Sequence, residues 1–186
     1  MKFAKFEELK TENLCLRSFR ESDAELFFER VGGDSEVTKY MLFEPHKSVD
    51  ESRVSIRKIM ARCDEGVAYT WAIVLPEDDS VIGRIDLLRF EEEESRCCFA
   101  YMIGKLFWGK GYGTQALLAV LQFAFDKMQI EEIVVDHMSE NSASGAVMRK
   151  VGMHFVQKHT AKYEKCGKLH DADEYKITAD EWRGSC

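Results

Sequence analysis

Between Arg96 and His137 four signals follow one another: a β-rich stretch from Arg96 to Ile103, a glycine-rich loop from Gly104 to Gly113, a helix from Thr114 to Met128, and a strand from Ile133 to His137. Leu117, Val120, Leu121, Ala124, Phe125 and Met128 lie on one side of that helix. A strand, helix and strand in that order predict a right-handed crossover that lays the two strands parallel in one sheet. The strands before it behave differently. Ala68 to Leu75, Val81 to Phe90 and Arg96 to Ile103 are separated only by Pro76-Glu77-Asp78-Asp79 and Glu91 to Ser95, connections too short for anything but an antiparallel meander. The expected fold is α/β of the α+β kind: a mixed central sheet, an antiparallel N-terminal meander, a parallel central pair, and helices on both faces.

The flanks fit that frame. Leu14 to Phe19 alternates as a strand, and Ser22 with Glu25 forms a capping box ahead of Leu26, Phe27 and Val31. Gly32-Gly33 ends that helix, a short one covers Ser35 to Met41, and a longer one runs from about Asp50 to Cys63. Later, Ser142 to Val151 reads as a helix ended by Gly152. Phe155 to Tyr163 and Asp173 to Thr178 read as a closing hairpin around Cys166-Gly167. With 186 residues and no repeat, linker or low-complexity tract, residues 1–186 are expected to form a single domain.

Charge narrows the partners. The net charge of -7 is carried by residues 1–93, while the second half is balanced. An acidic surface opposes direct nucleic-acid binding and favours a cationic partner, although the same surface also serves solubility alone. No apolar run approaches a membrane span, and Met1 to Leu14 mixes Lys, Glu and Phe, so no membrane and a cytoplasmic location are expected. Six scattered cysteines without a C-x-x-C pair or a histidine cluster at ligand spacing indicate reduced thiols, no disulfide framework and no metal. Edge strands and the meander leave room for a homodimer.

The densest chemical signal is Trp108-Gly109-Lys110-Gly111-Tyr112-Gly113-Thr114, three alternate glycines opening onto a helix. Glycines let backbone approach a ligand closely, and a helix start offers unpaired N–H groups and a positive dipole end to a phosphate. A flexible connection with no ligand is the plainer alternative. The run lacks the spacing of a Walker A loop. Gly111-Tyr112-Gly113-Thr114-Gln115-Ala116 does satisfy a loose G-x-G-x-x-A pattern, with Asp136 at the end of the next strand mimicking a ribose-binding acid. A preceding antiparallel meander and a short remaining chain argue against a nicotinamide dinucleotide there. A second helix start, Asn141-Ser142-Ala143-Ser144, follows the next strand, with Ser142 placed to cap it. Both starts fall at the carboxyl ends of parallel strands, where open α/β sheets hold ligands.

Together these segments resemble the GNAT N-acetyltransferase superfamily, and within it the Rim-type ribosomal-protein N-terminal acetyltransferases. The family's Q/R-x-x-G-x-G/A loop falls on Trp108 to Gly113, with Trp108 in place of Gln or Arg. The Asn-x-x-Ser element falls on Asn141 and Ser144. Lys150-Val151-Gly152 matches the next helix end, with Met153 replacing an aromatic residue, and Ala100-Tyr101-Met102-Ile103 resembles the strand before the loop. The tail from Asp171 to Trp182 is similar to that branch's closing strand.

The resemblance implies acetyl transfer from acetyl-CoA to a primary amine by direct attack in a ternary complex. The amine belongs to a protein N-terminus or, as the alternative, to a cationic small molecule such as a polyamine or aminoglycoside. A non-catalytic acyl-CoA-binding sensor is a further alternative. Implied cofactor contacts are Met102 and Ile103 for pantetheine and carbonyl, Trp108, Gly109, Lys110, Gly111, Tyr112, Gly113 and Thr114 for pyrophosphate, and Asn141 with Ser144 beyond. Ser144 is the implied general acid, with Tyr163 as a second acid candidate. Lys162 lies close to where relatives carry a glutamate base, and Asp86 and His137 are substitute bases. For each of these a helix cap or ordinary packing is the plainer reading.

Overall fold

The computed structural model describes residues 4–184. The first residues of the opening segment and Cys186 lie outside them. Cys15, Cys63, Cys97, Cys98 and Cys166 are free thiols. Among the described residues no helix is long and apolar enough to cross a membrane, and no group of three or more His, Cys, Asp or Glu is arranged to hold a metal ion.

In chain order the elements are β1 (Leu9–Lys10), β2 (Cys15–Arg17), α1 (Ala24–Phe27), α2 (Ser35–Thr38), α3 (Val49–Asp64), β3 (Tyr69–Leu75), β4 (Ser80–Glu91) and β5 (Arg96–Ile103). They continue with α4 (Tyr112–Gln122), β6 (Glu132–Met138), α5 (Ser142–Lys150), β7 (His154–Lys165), β8 (Lys168–Thr178) and α6 (Ala179–Gly184). One sheet takes in every strand in the order β1-β2-β3-β4-β5-β6-β8-β7. All neighbours are antiparallel except β5 and β6. The mixed sheet, the meander and the parallel central pair are therefore as expected.

Strand alternation sorts the side chains onto two faces. Cys97, Phe99 and Ile103 of β5 and Ile133 and Val135 of β6 pack against Leu117, Val120 and Leu121 of α4 and Met148 of α5. On the other face Ala72, Val74, Val81 and Met102 pack with Phe27 of α1, Val37 of α2 and Ile56 of α3. Helices thus cover both faces.

A buried ion pair fixes the entry to α1. The guanidinium of Arg17 donates from Nη1 and Nη2 to the two carboxylate oxygens of Asp23, each at 2.9 Å, and from Nε to Asp79 in the β3–β4 turn at 2.7 Å. Asp23 also accepts from the Arg20 N–H at 2.8 Å. That bond corrects one expectation: Asp23, not Ser22, holds the start of the helix, because the chain leaves β2 through a 3₁₀ turn at Glu21–Asp23 before becoming α-helical.

Other boundaries shift for equally local reasons. Strand β2 is shorter than Leu14 to Phe19, and β1 adds a two-residue partner. Helix α4 starts at Tyr112 instead of Thr114, since Gly111 in the left-handed conformation serves as its N-cap, and Phe123–Lys127 continues it as a π turn. Asn141 caps α5 in place of Ser142, its side chain accepting from the Ser144 N–H at 3.3 Å. The closing hairpin extends over β7 and β8. Cys166 and Gly167 both have positive φ, the conformation a two-residue hairpin turn needs, and β8 rather than β7 lies beside β6.

The tip of that hairpin reaches across the molecule. Lys165 Nζ donates to the carbonyls of Thr38 at 2.8 Å and Met41 at 2.6 Å, and lies 3.5 Å from that of Phe43. The Cys166 thiol lies 3.6 Å from a carboxylate oxygen of Glu44. The segment after α2, which has no strand partner of its own, is thereby clasped from outside. Lys165→Met removes a charged donor from carbonyls with few alternatives. It is expected to cost about 2 kcal/mol of stability, and to speed chymotryptic cleavage near Tyr40 to Phe43, read by denaturation and limited proteolysis.

Candidate active site

Strands β5 and β6 are paired only at Arg96 with Glu132 and at Cys97 with Ile133. Beyond that point they run on without a shared ladder. Residues 98–103 keep their antiparallel partners in β4, and Val134 to Met138 keep theirs in β8, so neither strand loses its other neighbour. A gap with backbone polar groups along its edges therefore opens inside the sheet. Met102 and Ile103 stand at its open end, next to β4, opposite Arg84 and Gly83.

The glycine loop closes the end of the gap. A 3₁₀ turn at Lys105–Phe107 leads to Gly109 and Gly111, with φ of +74° and +78°. A Cβ at either glycine would meet nothing within 4 Å, so the loop presents bare backbone to open space. No side chain caps α4, which leaves the N–H groups of its first turn unpaired by side chains and exposes the positive end of its dipole. Tyr112, Gly113 and Thr114 belong to that turn. Lys110 lies over the Phe107 ring, its Nζ 5.6 Å from the ring centroid. Trp108 turns its indole N–H onto the Ile103 carbonyl at 2.7 Å, tying the loop to the end of β5.

On the same face, α5 begins with Asn141 and carries Ser144, which is buried. Tyr101 of β5 places its phenol beside the Ser144 hydroxyl, and burial pushes that phenol upward. His137 donates from Nδ1 to the Met138 carbonyl at 2.8 Å, while its Nε2 has no hydrogen-bond partner and lies under Gly145.

The expected residues divide between the two faces. Asp136 and Tyr163 lie on the other one, where the Tyr163 phenol donates to Asp136 and Lys162 Nζ reaches the same carboxylate. Burial first, and then this bond to Asp136, push the Tyr163 phenol well above its ordinary value. Two adjacent residues can reach one carboxylate because the β7–β8 register shifts between His159 and Tyr163, with Ala161 at φ +52°. No sequence pattern announced that bulge, so Asp136 was visible only as part of a dinucleotide motif. Asp86 is occupied by Thr70 at 2.6 Å and Arg84 at 3.0 Å. Cys97 is buried and Cys98 half-buried, and desolvation pushes both thiols up, to about 11 for Cys98, which removes them as nucleophiles near neutral pH.

Beside Arg84, and so next to Met102, a groove of about 600 Å³ opens between α1, α3 and the 43–46 segment. Phe27 and Phe43 supply apolar wall, Glu44 and Glu51 acidic rim, Lys58 a cation. His46 also lines it, hydrogen-bonded through Nδ1 to Ser52 at 2.7 Å, and burial holds its pKa below the ordinary value, so it is neutral at pH 7. The α1 and α3 faces that form this groove were predicted as helices without any hint that they enclose one.

Residues 13–154 match the family model for the acetyltransferase (GNAT) domain. An uncharacterized N-acetyltransferase p20 of Bacillus licheniformis is 30% identical over 180 residues, covering 96% of this chain and 99% of its own. The [ribosomal protein uS5]-alanine N-acetyltransferase of Escherichia coli is 24% identical over 120 residues, 64% of this chain and 55% of its own. Among solved structures, a spermidine N-acetyltransferase from Vibrio cholerae in complex with CoA and spermine superposes with a TM-score of 0.80 at 16% identity, covering 93% of this chain and 99% of that one. A GNAT-family acetyltransferase from Bacillus anthracis superposes with a TM-score of 0.84 at 24% identity, over 94% and 99%. The family model spans more than half of the chain and the Bacillus licheniformis relative is covered almost end to end, so the nicotinamide reading falls: this chain belongs to the GNAT acetyltransferase family.

Proposed function

We propose that the chain works as one N-acetyltransferase domain that moves the acetyl group of acetyl-CoA onto the primary amine of a protein N-terminus. The observation that carries this reading is the gap between β5 and β6, with bare backbone at Gly109 and Gly111 at one end and the groove beside Arg84 on the far face. Acetyl-CoA enters from the α4 and α5 side. Its pyrophosphate takes the uncapped first turn of α4 together with the loop from Trp108 to Gly111, its pantetheine follows the free edge of β5 towards Met102 and Ile103, and Asn141 flanks it. The amine comes from the groove, whose acidic rim suits a cation and whose Phe27 and Phe43 suit the first side chains of a peptide.

Acetyl transfer asks for a neutral amine, a polarised carbonyl and a proton for the departing sulfur. The amine nitrogen attacks the thioester carbon, the carbon–sulfur bond breaks, and sulfur takes the Ser144 proton. The amine's surplus proton leaves on the acceptor face, to Asp136 or water, and Ser144 is reprotonated from water once products depart. Tyr163 keeps its place as the second donor, on the Asp136 side. Holding both reactants in line across the sheet supplies much of the acceleration. The free thiols fit a reducing, cytoplasmic setting.

Three results are expected. Gly111→Val, with φ of +78° and a side chain thrust into the cradle, weakens acetyl-CoA binding at least about tenfold, or 1.4 kcal/mol by calorimetry. Without ligand it costs about 1–2 kcal/mol of stability. Ser144→Ala lowers kcat about a hundredfold while the Kd for acetyl-CoA stays within about twofold; an unchanged kcat removes Ser144 from the reaction. In a thiol-release assay, peptides with a free N-terminus and basic following residues outrun spermidine and an aminoglycoside, and the reverse order replaces the protein acceptor by a small cation.

A further inference from the structure

We infer that Arg84 decides which amines the groove accepts: its outer guanidinium nitrogens take the carbonyl oxygen on the carbon next to the acceptor amine, so the site selects an amino-acyl end over a simple amine. The inference rests on the acetyl-transfer reading and deepens it, by naming the group that tells a peptide end from a polyamine.

Arg84 is a cation fixed at one end and open at the other. Along β4 its side chain and that of Asp86 share the groove face, while Ile85 between them enters the core under α4. Arg84 Nε donates to Asp86 Oδ2 at 3.0 Å, and Asp86 Oδ1 accepts at 2.6 Å from the hydroxyl of Thr70, its cross-strand partner on β3. Asp86 and Thr70 are buried, so the guanidinium cannot swing away without stranding a buried carboxylate. Nη1 and Nη2 have no partner among the described residues, although the side chain is 18% exposed and lines the groove. An arginine that satisfies a buried carboxylate with its inner nitrogen and turns no outer nitrogen to protein keeps rigid, charged donors for an oxygen that a ligand brings.

Arg84 is also the cross-strand partner of Met102, at the end of β5 to which the pantetheine leads. In an amino-acyl group two carbons hold the amine nitrogen and the carbonyl oxygen about 3 Å apart. An oxygen seated on Arg84 therefore keeps the nitrogen at the Met102 end of the groove, and Phe27 and Phe43 are left to the side chain on the same carbon. A polyamine brings no oxygen, and its next polar atom is a further cation, which the guanidinium repels. A free amino acid brings a carboxylate, which Glu44, Asp50 and Glu51 around the groove oppose. The peptide carbonyl, a neutral acceptor, suits both. The charge at the floor acts on protonation as well. Burial keeps His46 neutral, and Arg84 adds to that against the pull of Glu51. The same charge favours the neutral amine that attack requires.

Phenylalaninamide and phenethylamine, identical but for the carboxamide, test this as acceptors in a thiol-release assay. The proteins are the wild type, a paired variant carrying Arg84→Met with Asp86→Asn, and Arg84→Lys. The paired variant removes both charges together, so neither is stranded, and Arg84→Lys leaves Asp86 a cation. Each acceptor's own ionisation is the same with every protein and cancels when the ratio of the two kcat/KM values is compared between proteins. A hydrogen bond from a guanidinium is charge-assisted, so the ratio of phenylalaninamide to phenethylamine is expected to fall at least about tenfold in the paired variant. A smaller fall, or an equal loss on both acceptors, overturns the proposal and leaves Arg84 as the partner of Asp86 alone. If the paired variant does not fold, Arg84→Lys, a point charge without the planar fork, decides by the same criterion. A wild-type protein that acetylates free phenylalanine faster than phenylalaninamide overturns the carbonyl assignment in favour of a carboxylate. Those outcomes leave acetyl transfer standing, whereas a wild-type protein that binds acetyl-CoA but releases thiol with no amine overturns the acetyl-transfer reading and the role of Arg84 with it.

Discussion

Everything about this site depends on two strands that stop pairing. Leaving the inner edges of β5 and β6 without a ladder would be costly in a closed core, since buried backbone N–H and C=O groups need partners. The cost is contained because each strand keeps an intact ladder on its other side, β4 for β5 and β8 for β6. It is offset further by local donors such as the Trp108 indole, which satisfies the Ile103 carbonyl. The gap is thus held open by rigid sheet on both sides, and a ligand that offers amide groups can add itself as the missing strand.

Two tethers keep the rest of the molecule in register with that gap. The buried Arg17–Asp23 pair joins β2 to α1 and, through Asp79, to the β3–β4 turn. Removing one partner of such a pair strands a buried charge, so the position of α1 over β4 is fixed more by this requirement than by net attraction. Lys165 performs the second task from the opposite end of the chain. The first tether supports the floor of the groove beside Arg84, and the second supports its rim.

The parts of the site set by local chemistry were legible in the sequence. Alternate glycines before an apolar helix stripe located the cradle from Gly109 to Gly113, and Asn141 with Ser144 located the second helix start within a residue of its true cap. The fold class followed from connection lengths alone. What stayed hidden depends on contacts between distant segments. The bulge at Ala161 that brings Lys162 and Tyr163 to Asp136 has no signature in composition, and a positive φ at alanine is not something a sequence advertises. Tyr101 reads as one more aromatic residue in a strand until Gly113 and Ser144 are seen on either side of it. The insertion of β8 between β6 and β7 likewise becomes visible only in the sheet order.

The clasp at Lys165 has a consequence for how such a protein can change over generations. The residues assigned to the coenzyme lie in one unbroken stretch, from Arg96 to Met153, whereas the groove draws on residues 27–58 and Arg84, and its Phe43–Glu44 wall is held by residues 165 and 166 from the far end. Lys165 grips main-chain carbonyls, not side chains, so the segment from Thr38 to Phe43 can vary its side chains and still be held in place. On the proposed reading, variation in what the groove accepts and preservation of what the cradle holds are therefore separable, and a drift in acceptor preference would leave the coenzyme half untouched.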